Sequence, residues 1–206
     1  MTYKEYPFGS AHPSPMHAVF WPVVRRLAGP LRAGTRVLDA GCGNGATSAA
    51  CLELGCSVVG VDLSESGIEI ARQAHPRARF ERVPTDEHIL SRLNEPPFDV
   101  VVSTEVIEHL YDPRAYVRGC FAALRGGGRL VLTTPYHGYL KNLAISVLGR
   151  WDSHADPLWD GGHIKLWSKA TLGRLLEEAG FTNLRIRGAG RVPWLWKTMV
   201  AAADKP

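Results

Sequence analysis

Two carboxylates and an imidazole lie close together in Glu105-Val106-Ile107-Glu108-His109, one residue after the apolar run Phe98–Ser103. If a helix begins at Glu105, the side chains of Glu105, Glu108 and His109 share one face at i, i+3 and i+4. Such a cluster suits coordination of a divalent cation or removal of a substrate proton by a general base. The plainer interpretation is that Glu105 favours a helix N-terminus while the other two side chains are solvated.

A glycine-rich turn is the second chemical feature. The apolar run Val37–Leu38 ends in Asp39 and leads through Gly41-Cys42-Gly43-Asn44-Gly45 into an Ala-rich helix that reaches about Leu54. Glycines turn the chain tightly and let a ligand approach backbone N–H groups. In open α/β sheets, nucleotides bind at such turns, where a strand ends.

A second acid, Asp62, ends the next apolar run, Ser57–Val61, about twenty residues later. A carboxylate in this place can accept both ribose hydroxyls of an adenosine. These residues also match the loose form of the sequence motif that binds a nicotinamide dinucleotide. However, Asp39 would repel a pyrophosphate and attract an ammonium group, and Gly45 adds a third glycine at alternate spacing.

The elements that must position these residues alternate between strand and helix. This alternation predicts an α/β fold with a parallel sheet covered by helices on both faces. Strands are expected at about 37–39, 57–61, 78–83, 98–103, 129–133, 184–188 and 195–202, and helices at 115–124 and 168–179, with Ser168 as N-cap and Gly180 as C-cap. The short joint between the last two strands predicts an antiparallel pair.

Two segments depart from this alternation. Residues 1–31 are expected to form an N-terminal extension with a helix interrupted at Pro22, before a domain of residues 32–206. Residues 136–167 are too long for an ordinary connection, which is typical of a lid or binding loop. Within them, Leu140–Leu148 has the spacing of an amphipathic helix. This helix is expected to cover a substrate pocket, and to contact a membrane surface if the substrate is lipophilic.

Composition restricts the class of protein. The 206 residues carry 24 Lys and Arg against 20 Asp and Glu, a formal charge of +4 that is scattered along the chain. The cysteines Cys42, Cys51, Cys56 and Cys120 lack metal-type spacing, and no secretory leader is apparent, so they are expected to be buried thiols of a cytoplasmic protein. No apolar run reaches the roughly 18 to 20 residues that span a bilayer.

The run from Asp39 to Gly45 resembles motif I of class I S-adenosylmethionine (SAM) methyltransferases, in which an acid precedes GxGxG. The resemblance covers about residue 32 to the end. It implies a Rossmann-like, doubly wound sheet of seven strands, parallel except for the last strand. It also implies SAM as cofactor, with the motif I acid near the methionine amino group and Asp62 on the ribose. The cofactor contacts are then expected from Asp39, Gly41, Cys42, Gly43, Asn44, Gly45, Asp62, Leu63, Thr85, Asp86, Ser103 and Thr104.

The ExxEH motif, combined with the later His163, resembles two related groups. These are the O-methyltransferases of ubiquinone biosynthesis (methyltransferase type 11/12-like) and the metal-dependent small-RNA 3′-terminal 2′-O-methyltransferases. Carried over from the RNA enzymes, the ligands of Mg²⁺, Mn²⁺ or Zn²⁺ and the catalytic residues would be Glu105, Glu108, His109 and His163. Without metal, His109 is the preferred base. His154 and Asp160 compete with His163 for this role.

The leading hypothesis is a methyltransferase for the hydroxyl of a small phenolic or lipophilic acceptor. A metal-dependent RNA 2′-O-methyltransferase is the first alternative, but no clustered basic face or added domain supports nucleic acid as a partner. A small-molecule N-methyltransferase fits the same fold. A noncatalytic SAM-binding protein would leave the cluster without a purpose. The tryptophans at 151, 159, 167, 194 and 196 are candidates to line the acceptor pocket, with core packing expected for Trp167 and Trp196. The sequence does not define the oligomeric state.

Overall fold

A computed structural model, which describes residues 8–159 and 161–206, places seven strands in one sheet. The strands are β1 (Arg36–Ala40), β2 (Ser57–Val61), β3 (Arg79–Glu81), β4 (Phe98–Thr104), β5 (Leu124–Pro135), β6 (Thr182–Ala189) and β7 (Thr198–Asp204). Their order is β3-β2-β1-β4-β5-β7-β6, and β7 alone runs against its neighbours. The predicted fold class and the antiparallel last strand are therefore confirmed.

Helices connect the strands and cover both faces of the sheet. They are α1 (Pro15–Ala28), α2 (Ala46–Glu53), α3 (Glu65–Ala74), α4 (Ile89–Leu93), α5 (Pro113–Ala123), α6 (Tyr139–Val147), α7 (Trp151–His154) and α8 (Lys169–Glu178). The helix α1 continues through Pro22. The predicted cap of α8 is confirmed, because Ser168 and Thr171 form a reciprocal capping box.

Some predicted boundaries were wrong by a few residues. The fifth strand begins at Leu124, well before residue 129, and the seventh begins at Thr198 rather than at 195. The third strand is shorter than 78–83. Gly180 follows the C-cap Ala179 and carries the left-handed backbone (φ +93°) that ends α8.

The strands alternate their side chains between two cores. Leu38 and Val101 face the core under α4, α5 and α8, whereas Val37 and Val100 face the core that includes Phe20 of α1. Because α1 packs on β5 and β7, it fills part of one sheet face. All four cysteines are free and buried, as expected.

The prediction that the apolar residues of α6 cover a pocket is not borne out in the structure. Leu143 and Val147 are 45% and 76% exposed, while Lys141 is the buried residue of this helix. The Lys141 Nζ donates to the Tyr136 carbonyl (2.7 Å), which fixes the polar side of α6 inward. Among the described residues, none of the helices has the length and hydropathy needed to cross a lipid bilayer.

Candidate active site

The glycine-rich loop is fixed to the ends of two neighbouring strands. The backbone N–H groups of Gly41 and Cys42 both donate to the Val61 carbonyl, at 2.8 and 2.9 Å. Gly41 has φ +77°, and a Cβ on it would meet Cγ2 of Val106 at 2.4 Å. Gly41 is therefore required both for its backbone conformation and for the close approach of the chain that follows β4.

Asp62 fixes the same loop from the end of β2. Its Oδ2 accepts from the Gly43 N–H and its Oδ1 from the Ser64 N–H, both at 2.8 Å. These bonds orient the carboxylate at the carboxyl edge of the sheet. A carboxylate can accept several hydrogen bonds at once, so these two bonds do not exclude a ligand as a further donor to Asp62.

Asp39 lies fully buried beneath the loop. Its Oδ2 accepts from the Ser48 hydroxyl (2.6 Å), while Oδ1 has no hydrogen-bond partner among the described residues. The pKa of Asp39 is raised to about 7, mainly by burial; the Ser48 bond opposes this rise and the charge of Asp62 adds to it. An ammonium group would satisfy Oδ1 and favour the ionised carboxylate.

A cavity of about 850 Å³ opens above these strand ends. It is lined by most of the predicted cofactor residues, namely Gly41, Cys42, Asn44, Asp62, Leu63, Thr85, Asp86 and Thr104. Asp39, Gly43, Gly45 and Ser103 are not among its lining residues. Ser103 instead bonds to the Tyr116 hydroxyl (2.9 Å) inside the protein.

The sequence did not predict that residues 8–20 form one wall of this cavity. The lining residues from this segment include Phe8, Ser10, His12, Met16, His17 and Phe20. Asn44 donates from Nδ2 to the carbonyls of Ser10 (2.7 Å) and His12 (3.0 Å). The aromatic and histidine content of this segment was the available signal, but nothing in the sequence indicated where it would lie.

The predicted helix starting at Glu105 is absent. Glu105 has φ +55°, and the chain forms only a short 3₁₀ turn over Ile107–His109. The Glu105 Oε1 accepts from the hydroxyls of Thr133 (2.7 Å) and Thr198 (2.9 Å). Hydroxyls from two neighbouring strands therefore hold the Glu105 carboxylate. The side chains of Glu105, Glu108 and His109 do not share a helical face.

Three of the four predicted catalytic residues do converge. Ligand atoms of Glu108, His109 and His163 lie within 4.8 Å of one another, and Glu105 is outside this group. The His109 Nε2 is 3.9 Å from the Glu108 Oε1, which is buried and lacks a hydrogen-bond partner among the described residues. Both His109 and His163 line the cavity beside Trp159.

The electrostatics of the cluster follow from its burial. Burial lowers the pKa of His163 to about 4, so this imidazole is neutral near pH 7. Burial, followed by the charge of Glu105, raises the pKa of Glu108 well above its ordinary value. Burial likewise raises the pKa of Glu105. Two buried carboxyl groups whose charges affect each other are not both ionised at low cost.

The other aromatic and histidine candidates divide between core and surface. Trp159 lines the cavity, whereas Trp167 is buried in the core and Trp196 packs against it, as expected for those two. His154 is not a lining residue and pairs with His137, with ring centres 5.3 Å apart. Asp160 lies outside the described residues.

Taken together, this strand order, the glycine-rich loop after β1 and the acid after β2 define an α/β protein of the methyltransferase class. A family model described as "Methyltransferase domain" matches residues 16–186. The chain belongs to the SAM-dependent methyltransferases.

Curated relatives support this membership. The chain is 32% identical over 180 residues to the ubiquinone biosynthesis O-methyltransferase of Ruegeria sp. (strain TM1040), covering 84% of this chain and 70% of that protein. It is 35% identical to the protein of the same name from Bordetella avium, covering 66% and 57%. It is 37% identical to a probable SAM-dependent methyltransferase of Mycolicibacterium smegmatis, covering 72% and 52%. The chain thus spans little more than half the length of two of these three relatives.

A solved SAM-dependent methyltransferase from Mesorhizobium loti has the same fold. The TM-score is 0.68 at 23% identity, with 90% of this chain and 97% of that chain covered. The magnesium protoporphyrin IX methyltransferase from Synechocystis, with bound S-adenosylhomocysteine (SAH), has a TM-score of 0.65 at 21% identity. It covers 90% of this chain and 81% of its own.

Proposed function

We propose that this protein transfers a methyl group from SAM to a hydroxyl oxygen of a small phenolic or lipophilic acceptor. The observation that carries the proposal is one continuous cavity, which joins the glycine-rich loop and Asp62 to His109 and His163. The apolar and aromatic side chains of Val106, Leu110, Tyr111 and Trp159 line it. The names of the curated relatives add support, since several are O-methyltransferases of ubiquinone biosynthesis.

The residues around the loop fit the proposed cofactor. Asp39, buried beneath the loop, has an unsatisfied oxygen and is proposed to face the ammonium group. Asp62, at the end of β2, is proposed to accept from the ribose hydroxyls. Leu63, Thr85 and Asp86 line the same cavity and are proposed for the adenine end. When bound, SAM supplies an electrophilic methyl group. The protein then contributes orientation of the acceptor and exclusion of water.

His109 is the proposed base. Its Nδ1 lies 2.7 Å from the Gly161 carbonyl and 3.1 Å from that of Gly162, so Nδ1 must carry a proton. The neutral ring therefore has its lone pair on Nε2. From there it can take the proton of an acceptor hydroxyl as the oxygen attacks the methyl group.

Glu108 and His163 lie next to the His109 ring and are proposed to position it. The Glu108 carboxyl lies 3.9 Å from the His109 Nε2 and is held by the Thr134 hydroxyl (3.0 Å). His163 meets the His109 ring edge-on, with ring centres 5.0 Å apart. Since burial keeps His163 neutral, it does not oppose the charge that His109 gains with the proton.

A divalent cation is a second candidate use of the cluster. Glu108, His109 and His163 supply three donor atoms within 4.8 Å, and the bond from Nδ1 of His109 to backbone carbonyls is the usual support of a metal-binding histidine. Such a cation would lower the pKa of an acceptor hydroxyl. This use excludes the role of Nε2 as a base, because the same lone pair would bind the cation.

The test of the proposed function is a transfer assay with SAM and a panel of phenols, catechols, matched anilines and a short RNA. The expected product carries the methyl group on a phenolic oxygen, identified by mass spectrometry and NMR, with SAH formed in equal amount. Methylation confined to the amines or to the RNA would contradict the proposal. Persistence of turnover in excess EDTA is expected if His109 is the base. Loss that Mn²⁺ or Mg²⁺ restores would assign the cluster to a cation instead.

We also propose that the exposed face of α6 contacts an anionic lipid surface, which would bring a lipophilic acceptor to the cavity. Tyr139, Leu143 and Val147 are exposed on it, and Val192 and Trp194 are exposed on the loop before β7. Residues 142–150, 161–169 and 189–200 carry five Lys and Arg residues and no Asp or Glu. Apolar side chains combined with basic ones favour an anionic membrane interface.

Flotation with vesicles tests this surface. Binding to vesicles containing phosphatidylglycerol is expected for the wild type and should be lost when Leu143 and Val147 are both replaced by Ser. A double replacement of the exposed Glu177 and Glu178 on α8 by Ser is the matched control and should still bind. Equal flotation of the wild type and the α6 variant would contradict the proposal.

A further inference from the structure

The N-terminal segment lies directly over the glycine-rich loop. The ring of Phe8 covers Gly43, because a Cβ on Gly43 would meet the Phe8 Cζ at 2.4 Å. A Cβ on Gly67, at the start of α3, would meet the same ring at 2.9 Å. The Phe8 ring therefore lies between the loop after β1 and the helix after β2.

Asn44 holds this segment in place. The Asn44 Nδ2 uses its two hydrogens on two backbone carbonyls, those of Ser10 and His12, at 2.7 and 3.0 Å. Both carbonyls belong to residues with no helix or strand of their own. A single loop residue thus ties the segment to the cofactor loop. These contacts precede residue 16, where the match to the family begins.

His17, in the first turn of α1, is a polar side chain of this wall whose Nε2 has no hydrogen-bond partner among the described residues. It stacks on Trp21 and meets Phe20 edge-on, with ring centres 5.4 and 5.2 Å away. It lines the cavity, and its Nε2 is buried with no hydrogen-bond partner among the described residues. An orphaned buried nitrogen of this kind costs free energy unless a ligand or water meets it.

We propose that residues 8–20 form one wall of the SAM site, held there by Asn44, and that His17 makes a hydrogen bond from Nε2 to the bound cofactor. This inference rests on the proposed function, because it takes SAM as the occupant. Burial lowers the pKa of His17, which favours a neutral ring near pH 7. A neutral imidazole can donate or accept at Nε2, depending on its tautomer. The segment would thus be part of the cofactor site rather than an extension of the domain.

Calorimetry with SAH tests the hydrogen bond. His17→Phe keeps a ring against Trp21 and Phe20 but removes Nε2, so we expect affinity to fall about three- to tenfold, as for one neutral hydrogen bond. Arg25→Ala, on an exposed position of the same helix, is the matched control and should bind as the wild type does. An affinity of His17→Phe within about twofold of wild type would overturn the role of His17.

The role of Asn44 in holding residues 8–20 is tested separately by Asn44→Asp. This change removes both donated hydrogens and places a carboxylate against the two carbonyls. We expect weaker SAH binding, by about tenfold, and loss of the SAH-induced protection of amides 9–20 in hydrogen exchange. If adding SAH to the wild type does not change the hydrogen exchange of these amides, residues 8–20 do not form a wall of the SAM site. If SAH does not bind the wild type, or Asp62→Ala binds it normally, the proposed function fails as well. If Asp62→Ala weakens SAH binding as expected but His17→Phe and Asn44→Asp do not, this inference is wrong while the proposed function stands.

Discussion

The rings of His109 and His163 lie with their centres 5.0 Å apart, although one follows β4 and the other lies in the long segment before α8. Backbone contacts bring them together. The Glu108 carbonyl accepts from the N–H groups of Ile164 (2.9 Å) and Lys165 (3.0 Å), and His109 donates to the Gly161 and Gly162 carbonyls. The long segment is thereby anchored on the turn that carries Glu108, and the cluster is built by this anchoring rather than by a helix.

The first prediction concerns the acid after β2. Asp62→Ala removes a carboxylate that orients the loop and would receive the ribose hydroxyls, so SAH affinity should fall at least tenfold, as for about 1.5–3 kcal/mol per charge-assisted bond. Glu65→Ala, which loses only a surface ion pair with Arg82, is the control and should bind normally. Calorimetry measures both. Unaltered affinity in Asp62→Ala, or tighter binding of NAD than of SAM to the wild type, would refute the cofactor assignment.

The second prediction is a pH dependence set by Asp39. Burial holds the pKa of this carboxyl at about 7, so below that pH an arriving ammonium group must displace a proton. SAH affinity should therefore rise roughly five- to tenfold from pH 6 to pH 7.5. Above about pH 8 the Asp39 carboxyl is almost fully ionised, so the gain should end there. Asp39→Asn should abolish the rise, and an equal slope in wild type and variant would exclude Asp39 as its source.

The third prediction concerns Gly41, which is required both for its backbone conformation and for its close contact with Val106. Gly41 and Gly34 both have positive φ, +77° and +87°, but a Cβ on Gly34 would meet nothing within 4 Å. Gly34→Ala should cost about 1–2 kcal/mol of unfolding free energy, from backbone strain alone. Gly41→Ala should cost more because its Cβ would collide with Val106. Chemical denaturation gives both values. Replacing Val106 by Ala should recover part of the Gly41→Ala loss, and equal costs at the two glycines would contradict the contact.

Much of the fold could be predicted because it rests on local patterns. Continuous apolar runs such as Val100–Val102 predict buried parallel strands, and the short joint before β7 predicts its reversed direction. The positions of the glycine-rich loop and of Asp62 at the ends of β1 and β2 could also be predicted, from residue types, strand ends and the resemblance to a known motif. The position of the Glu105 carboxylate could not be predicted, because it depends on the hydroxyls of Thr133 and Thr198, which lie on other strands.

The helix α6 and the N-terminal wall show the same limit. The spacing of Leu140 and Leu143 predicted an amphipathic helix, which is present, but did not indicate which face turns inward. Lys141 decides this through its bond to the Tyr136 carbonyl. The position of Phe8 over Gly43 likewise depends on contacts between distant parts of the chain.

The central claim is methyl transfer beside His109, and single-turnover methylation of a phenolic acceptor by His109→Gln tests it most directly. His154→Gln is the matched control, because His154 lies outside the cavity, and it should transfer at close to the wild-type rate. His109→Gln should be slower by about 100-fold or more, the usual contribution of a general base, while its SAH affinity stays within about twofold of wild type. Transfer by His109→Gln at the wild-type rate would contradict the account.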